Sequence, residues 1–260
     1  RDGRVDPYLG RYDHLLVAGD ESLTVLSRRG DTYQTVVVPY SRIGAIHHSY
    51  SMLDGLLVVH DVDGLERAGV AVAIRYNAIS RRVMEDLAEL LREQALAARP
   101  PAERPGRAAL PTTRVLDLGD ADAALVTARI EIADRRPGLV LLGAQPRTVV
   151  ARRDTTFGRV LDALRPVTLH AALVCADTGT LEFVHRREWF TSHPKPQFSV
   201  AHTVILTDAV TAVGSHEHPR YVGVYRVQIA AGRARVDVAF PDGAESGGAI
   251  AGALAGVRAI

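Results

Sequence analysis

The chain has 260 residues but only one cysteine, one tryptophan and one lysine, and aromatic side chains make up 5% of it. A lone thiol, Cys175, can neither close an intrachain disulfide nor supply a thiolate metal cluster. It lies in an apolar run, 171–176, where a buried and inert thiol is expected. Charge of one sign is also missing. The 31 basic and 30 acidic residues leave a net charge of +1, so no global attraction to nucleic acid or to an anionic membrane follows, and nucleic acid is not expected as a partner. No apolar run reaches the roughly 18–20 residues of a membrane-spanning helix. A cytoplasmic location is therefore the default expectation, with the region upstream of Arg1 left open.

Catalytic signatures are equally scarce. There is no Gly-x-Ser-x-Gly, and nothing marks a His or Asp as a partner for Cys175. The glycine run 243–256 lacks the Lys-Ser/Thr of a phosphate loop. Glu85 and Asp86 fall on the polar side of a helix, as a solvated edge rather than an acid–base pair. His47 and His48 are neighbours that would face opposite sides of a strand. His216, Glu217 and His218, with His193 or His202 nearby, read as a surface turn lacking a third ligand at diagnostic spacing. We therefore expect no catalytic residues, no metal and no cofactor. Lys195 is the only lysine and all other basic residues are arginine; together with abundant Ala, Val and Gly, this points to a GC-rich, actinobacterial genome. Arginine frequency then says little about function.

What is present is a pattern of short strands. Segments 14–18, 23–27, 35–39, 43–47, 55–62 and 69–76 alternate apolar and polar residues between turn residues. From Ser80 the period changes: Val83, Met84, Leu87, Leu90 and Leu91 recur at helical spacing over 80–96, and Asn77 or Ser80 can cap the helix. The prolines and arginines of 98–113 make a linker. Further strands are expected at 123–132 and 139–151, and a short helix at 157–164. Strands at 168–175, 180–186, 200–206, 210–215, 221–230 and 234–240 follow. A last helix opens at Asp242, whose spacing to Glu245 predicts a capping box. Gly248, Gly252 and Gly256 share one face of that helix and suggest close packing on its own sheet or on a partner helix.

The second run of strands repeats the first. Leu15–Arg29 reappears as Leu173–Arg187, give or take one turn residue, and Val37–Ile46 is echoed without a gap by Val204–Val213. Val72, Ile74 and Tyr76 before one helix match Val236, Val238 and Phe240 before the other. Three blocks in the same order argue for duplication of a whole β-rich unit, each copy folding around its own core.

Six to seven strands closed by a helix, with Val36-Val37-Val38-Pro39-Tyr40-Ser41-Arg42-Ile43-Gly44-Ala45-Ile46 just past the middle and Ile74-Arg75-Tyr76-Asn77 leading into the helix, resemble the bacterial pleckstrin-homology-like (PH-like) domains. In the second unit Leu206 replaces the proline and the helix is Gly-rich. The resemblance implies a mainly β protein with capping helices (α+β): two PH-like β-rolls, each closed by a C-terminal α-helix. The first unit spans 1–97, the linker 98–113, a connector without counterpart in the first unit 114–166, and the second unit 167–260.

The resemblance also implies an adaptor, scaffold or oligomer-forming role, or headgroup binding by basic residues in the first hairpin loop. The corresponding loops, 18–22 and 176–180, carry carboxylates and no cation, which repels a polyphosphate headgroup. Arg28 and Arg29, with Arg186 and Arg187, end the next strand in both units and could hold one anion, or could simply be solvated. The 189–198 segment gathers Trp189, Phe190, Lys195 and Phe198 between prolines, either as a partner-binding loop or as a lid folded over its own sheet. These features favour a non-catalytic binding or scaffolding protein with a protein partner, contacted through that loop or an exposed sheet edge. Homo-oligomerisation stays open. The alternative is a peripheral membrane or anionic-lipid binder using Arg135, Arg136, Arg147, Arg152 and Arg153.

Overall fold

The computed structural model describes residues 13–99, 116–153, 165–192, 198–254 and 258–259. The protein is mainly β. The first unit forms β1 His14–Ala18, β2 Ser22–Arg29, β3 Thr32–Pro39, a 3-10 turn at Tyr40–Arg42, β4 Ile43–Tyr50, β5 Asp54–Asp61, β6 Val70–Asn77 and helix α1 Arg81–Ala97. All six expected strands are present. The chain enters α1 through a 3-10 turn held by Asn77 Oδ1, which accepts from the Ile79 amide at 2.9 Å; Ser80 gives no cap. Met84, Leu91 and Ala95 turn inward, whereas Val83 is exposed and Arg92 is buried against Glu89 at 2.6 Å.

The connector corrects one expectation. Residues 123–132 are not a strand but part of helix α2 Ala123–Arg135. Val126, Thr127, Ile130 and Ile132 suggested β structure, because β-branched side chains favour pleated backbone. Burial decides otherwise: Leu125 and Ala128, one turn apart, share a face that packs on the sheet. The expected strand at 139–151 forms as two pieces, β7 Val140–Gln145 and β8 Thr148–Val150, separated at Pro146. The helix expected at 157–164 lies outside the described residues.

The second unit contributes β9 Val167–Leu169, β10 Ala172–Asp177, β11 Thr180–His185, β12 Phe190–Thr191, β13 Val200–Leu206, a 3-10 turn at Thr207–Ala209, β14 Ala212–Glu217, β15 Val224–Ala231, β16 Ala234–Pro241, helix α3 Glu245–Ala253 and β17 Arg258–Ala259. Its main strands repeat the order of the first unit: three strands, a 3-10 turn, three strands, a helix. His216 and Glu217 belong to β14 rather than to a turn. The Asp242–Glu245 capping box does not form, since Ala244 occupies the N-cap and no side chain caps the helix. Of the three helix glycines, Gly248 is exposed and Gly256 lies outside the described residues; Ser246 and Ala249 approach the sheet. The glycine that admits them is on the strand, because a Cβ at Gly143 would stand 3.2 Å from the Ser246 backbone.

The larger correction concerns the two cores. The units do not fold around separate sheets: seven strands run continuously in the order β6-β5-β4-β13-β11-β10-β7, and the antiparallel β4–β13 ladder joins the units from Ala45 opposite Ile205 to Tyr50 opposite Val200. On one side of this sheet, Ile46, Leu57 and Ile74 pack with Leu23, Val25 and Val38 of the β1-β2-β3 sheet and with α1. On the other side, Phe183 and Ile205 pack with Ile229, Val238 and Phe240 of the β14–β16 sheet and with α3. The cores cross the boundary, for Val204 and Leu206 belong to the first and Ala45 to the second. A backbone contact locks the arrangement: the Arg233 amide donates to the Val62 carbonyl at 2.7 Å.

Candidate functional site

The seam between the units carries polar side chains on both faces. On one face α1 and α2 stand as walls over β4 and β13, enclosing a cleft of about 60 Å³ with Ile46, His48, His202 and Val204 in its floor. Ion pairs close it overhead: Arg81 to Glu131 at 3.3 Å, Arg135 to Asp86 at 3.6 Å and Arg136 to Glu89 at 3.3 Å. At the base, fully buried Glu182 receives both Arg136 terminal nitrogens, at 2.5 and 2.7 Å, and His202 Nε2 at 2.8 Å. Burial alone would push this carboxyl up; the His202 and Arg136 bonds reverse that and hold it well below the usual carboxylate range. His48 Nε2 and the Tyr76 hydroxyl lie 2.5 Å apart. Tyr76 reaches over its cross-strand neighbour Gly55, whose missing side chain leaves room for the ring.

Desolvation dominates at His48 and Tyr50. It lowers His48 to about 4, aided by His202 and Arg81, and raises Tyr50 to about 12 despite the Arg81 guanidinium 3.9 Å over its ring. The opposite face holds a hydrogen-bonded chain. His185 Nδ1 donates to the Arg186 carbonyl at 2.6 Å, which leaves Nε2 to accept from Thr203 Oγ1 at 3.1 Å; Thr203 in turn accepts from His47 Nδ1 at 2.8 Å. Burial, the largest cause, keeps His47 and His185 below their ordinary range, His185 at about 4. The seam thus holds three histidines, His47, His48 and His185, kept below their ordinary range, and one locked carboxylate–guanidinium pair. It is suited to holding two units together rather than to moving protons near neutral pH.

An unfilled surface lies on the β1-β2-β3 sheet. Leu15 faces Leu26 and Leu26 faces Thr35, while Val17 faces Thr24 and Thr24 faces Val37, so these six residues share the outer face. Leu15, Val17 and Val37 are 59%, 46% and 55% exposed, and Tyr33 on the same face is 67% exposed. The repeat makes this meaningful. The equivalent residues of the second unit pair identically, with Leu173 facing Val184, Val184 facing His202, and Glu182 facing Val204. There Leu173, Cys175 and Val184 are fully buried beneath Leu125 and Ala128 of α2. The equivalent strand edges differ in the same way: β13 pairs with β4, whereas β3 pairs with β2 alone among the described residues.

The sequence-predicted site residues end up in several places. Trp189 does not project as part of a loop: it stacks on His185 at 4.4 Å and packs against Phe240, because the fixed imidazole chain offers it a flat floor. Phe190 lies in β12 and stacks on Tyr221 at 4.4 Å. Phe198 is exposed, and Lys195 and His193 lie outside the described residues. Arg186 is not an anion site, being buried with its Nε 2.9 Å from Asp122, and Arg187 pairs with Asp54 at 2.6 Å. Arg28 turns back to the Gly30 carbonyl at 3.2 Å, and Arg29 is exposed. The arginines considered for lipid are largely engaged: Arg135 with Asp86, Arg136 with Glu182, Arg147 with the His170 ring at 3.0 Å, Arg152 with the Arg165 carbonyl at 3.4 Å, and Arg153 with Glu217 at 2.7 Å. No group of three His, Cys, Asp or Glu among the described residues is placed to hold a metal, and no described helix is long and apolar enough to cross a membrane.

No protein-family model matches the chain, and no curated protein matches it in sequence.

Proposed function

We propose that this protein is a non-catalytic binding or scaffolding protein built from two PH-like units, working inside the cell, and that it takes a protein partner along β3 and the outer face of the β1-β2-β3 sheet. One observation carries the reading: a sheet face and edge that are fully covered in one copy of the repeat are bare in the other. An exposed strand edge beside apolar side chains is a template for strand addition, in which backbone hydrogen bonds give affinity and side chains on alternate positions give specificity. The matching order of elements in both units supports the PH-like assignment, and the acidic hairpin loops argue against a phosphoinositide role.

The test is to compare proteins captured from a native lysate by the wild-type chain and by Val37→Lys. Val37 is more than half exposed, so the variant should melt at the wild-type temperature while losing the specific partners. An identical set of captured proteins with the two baits would remove β3 from the reading.

A further inference from the structure

The internal β4–β13 junction is head-to-tail: it joins the second sheet of unit one to the first sheet of unit two. Two equivalent edges are left over. One is β3, the counterpart of β13. The other is β14, the counterpart of β4, whose residues Gly214–Glu217 pair only with β15 among the described residues. We propose that the partner of the bare β3 edge is the β14 edge of a second copy of this chain, so that the protein assembles head-to-tail by repeating its own internal junction. This inference rests on the reading of β3 as a docking edge and names its occupant.

The repeat fixes the register. In the internal ladder Val204 faces Ile46, His202 faces His48 and Val200 faces Tyr50. The equivalents are Val37 and Val213, Thr35 and Ser215, Tyr33 and Glu217. The facing parity also carries over. Ile46 packs into the core of its unit and Val213 against the core of its own, while Thr35, Tyr33, Ser215 and Glu217 are all exposed. A heterologous contact of this kind leaves one β3 edge and one β14 edge free at the two ends, so copies add in series unless the rotation closes a ring. The chain also holds a competitor for the site. The two residues of β17, Arg258 and Ala259, pair in parallel with Ala212 and Val213, so the full ladder forms only when β17 gives way.

The experiment uses full-length Thr35→Cys and Ser215→Cys variants. Both positions are exposed, and the native Cys175 is buried and held at about 12, so it stays silent. Under mild oxidation the mixture of the two single variants should give a disulfide-linked heterodimer that neither gives alone, since directly facing residues of an antiparallel ladder bring their Cβ atoms within about 4.5–5.5 Å. The double variant should give a ladder of covalent multimers, and adding Val37→Lys should abolish it. Pairing Tyr33→Cys with Ser215→Cys tests register and should cross-link far less. Sedimentation of the wild-type chain should show a mean mass rising with concentration. A wild-type chain that stays monomeric, or equal cross-linking by both cysteine pairs, overturns the inference. If lysate partners are still lost on Val37→Lys in that case, the docking edge survives and only its occupant was wrong.

Discussion

Glu182 is fully buried and held in its ionised form, where the first unit has Thr24. Its charge is supported because Arg136 grips both oxygens, and His202 and the Thr180 hydroxyl each donate to one of them. Breaking such a pair from one side leaves an uncompensated charge in low dielectric, which typically costs about 3–5 kcal/mol, whereas replacing both partners by apolar groups is often close to neutral. Arg136→Met should therefore lower the unfolding free energy by about that amount in urea titrations, and Arg136→Met with Glu182→Leu should recover most of it. Equal losses in the single and double variants would mean that packing, not charge, decides this site. From sequence, Arg136 is named only for a lipid surface and Glu182 is not singled out. Arg136 falls in an arginine-rich connector and so reads as part of a basic group, and nothing local to Glu182 says that a guanidinium 46 positions away ends above it.

At the scale of elements, the strands and α1 were legible because alternation and helical spacing are local properties, expressed within a dozen residues. The β4–β13 ladder was not. A buried edge and a free edge carry the same alternation, and only the side-chain chemistry of the seam hints at the difference. The hint was the histidines: His47, His48, His185 and His202 all flank this ladder, and three of them are pushed below their ordinary range, chiefly by burial. They are neutral in the folded chain and take up protons on unfolding below about pH 6.5, so stability falls as the pH drops from there to about 4, where the folded His48 and His185 also protonate. Glu182 adds a loss of the same sign at lower pH, because its folded form stays ionised where the unfolded carboxyl is protonated. Thermal melts should show Tm dropping steeply between pH 6.5 and 4.5, and His48→Gln should flatten that slope. A Tm that is level across the window would contradict buried neutral histidines at the seam.

For the whole molecule, the shared sheet changes what a unit is. Duplication was readable in the sequence, yet it suggested two independent cores, because a repeat reports how a gene grew and not which edges later paired. Leu206 shows the consequence: it is encoded in the second unit, is fully buried, and packs in the core that contains Leu23, Leu57 and Leu91 of the first. Neither unit can lose its structure without stripping the other of a ladder and of core side chains. Calorimetric unfolding should accordingly give one transition, with equal van't Hoff and calorimetric enthalpies. Leu206→Ala should destabilise that single transition by about 2–5 kcal/mol, the usual cost of truncating a buried leucine. Two resolved transitions, with the substitution moving only the one assigned to residues 167–260, would mean that the continuous sheet does not couple the units and that the internal junction is no template for assembly.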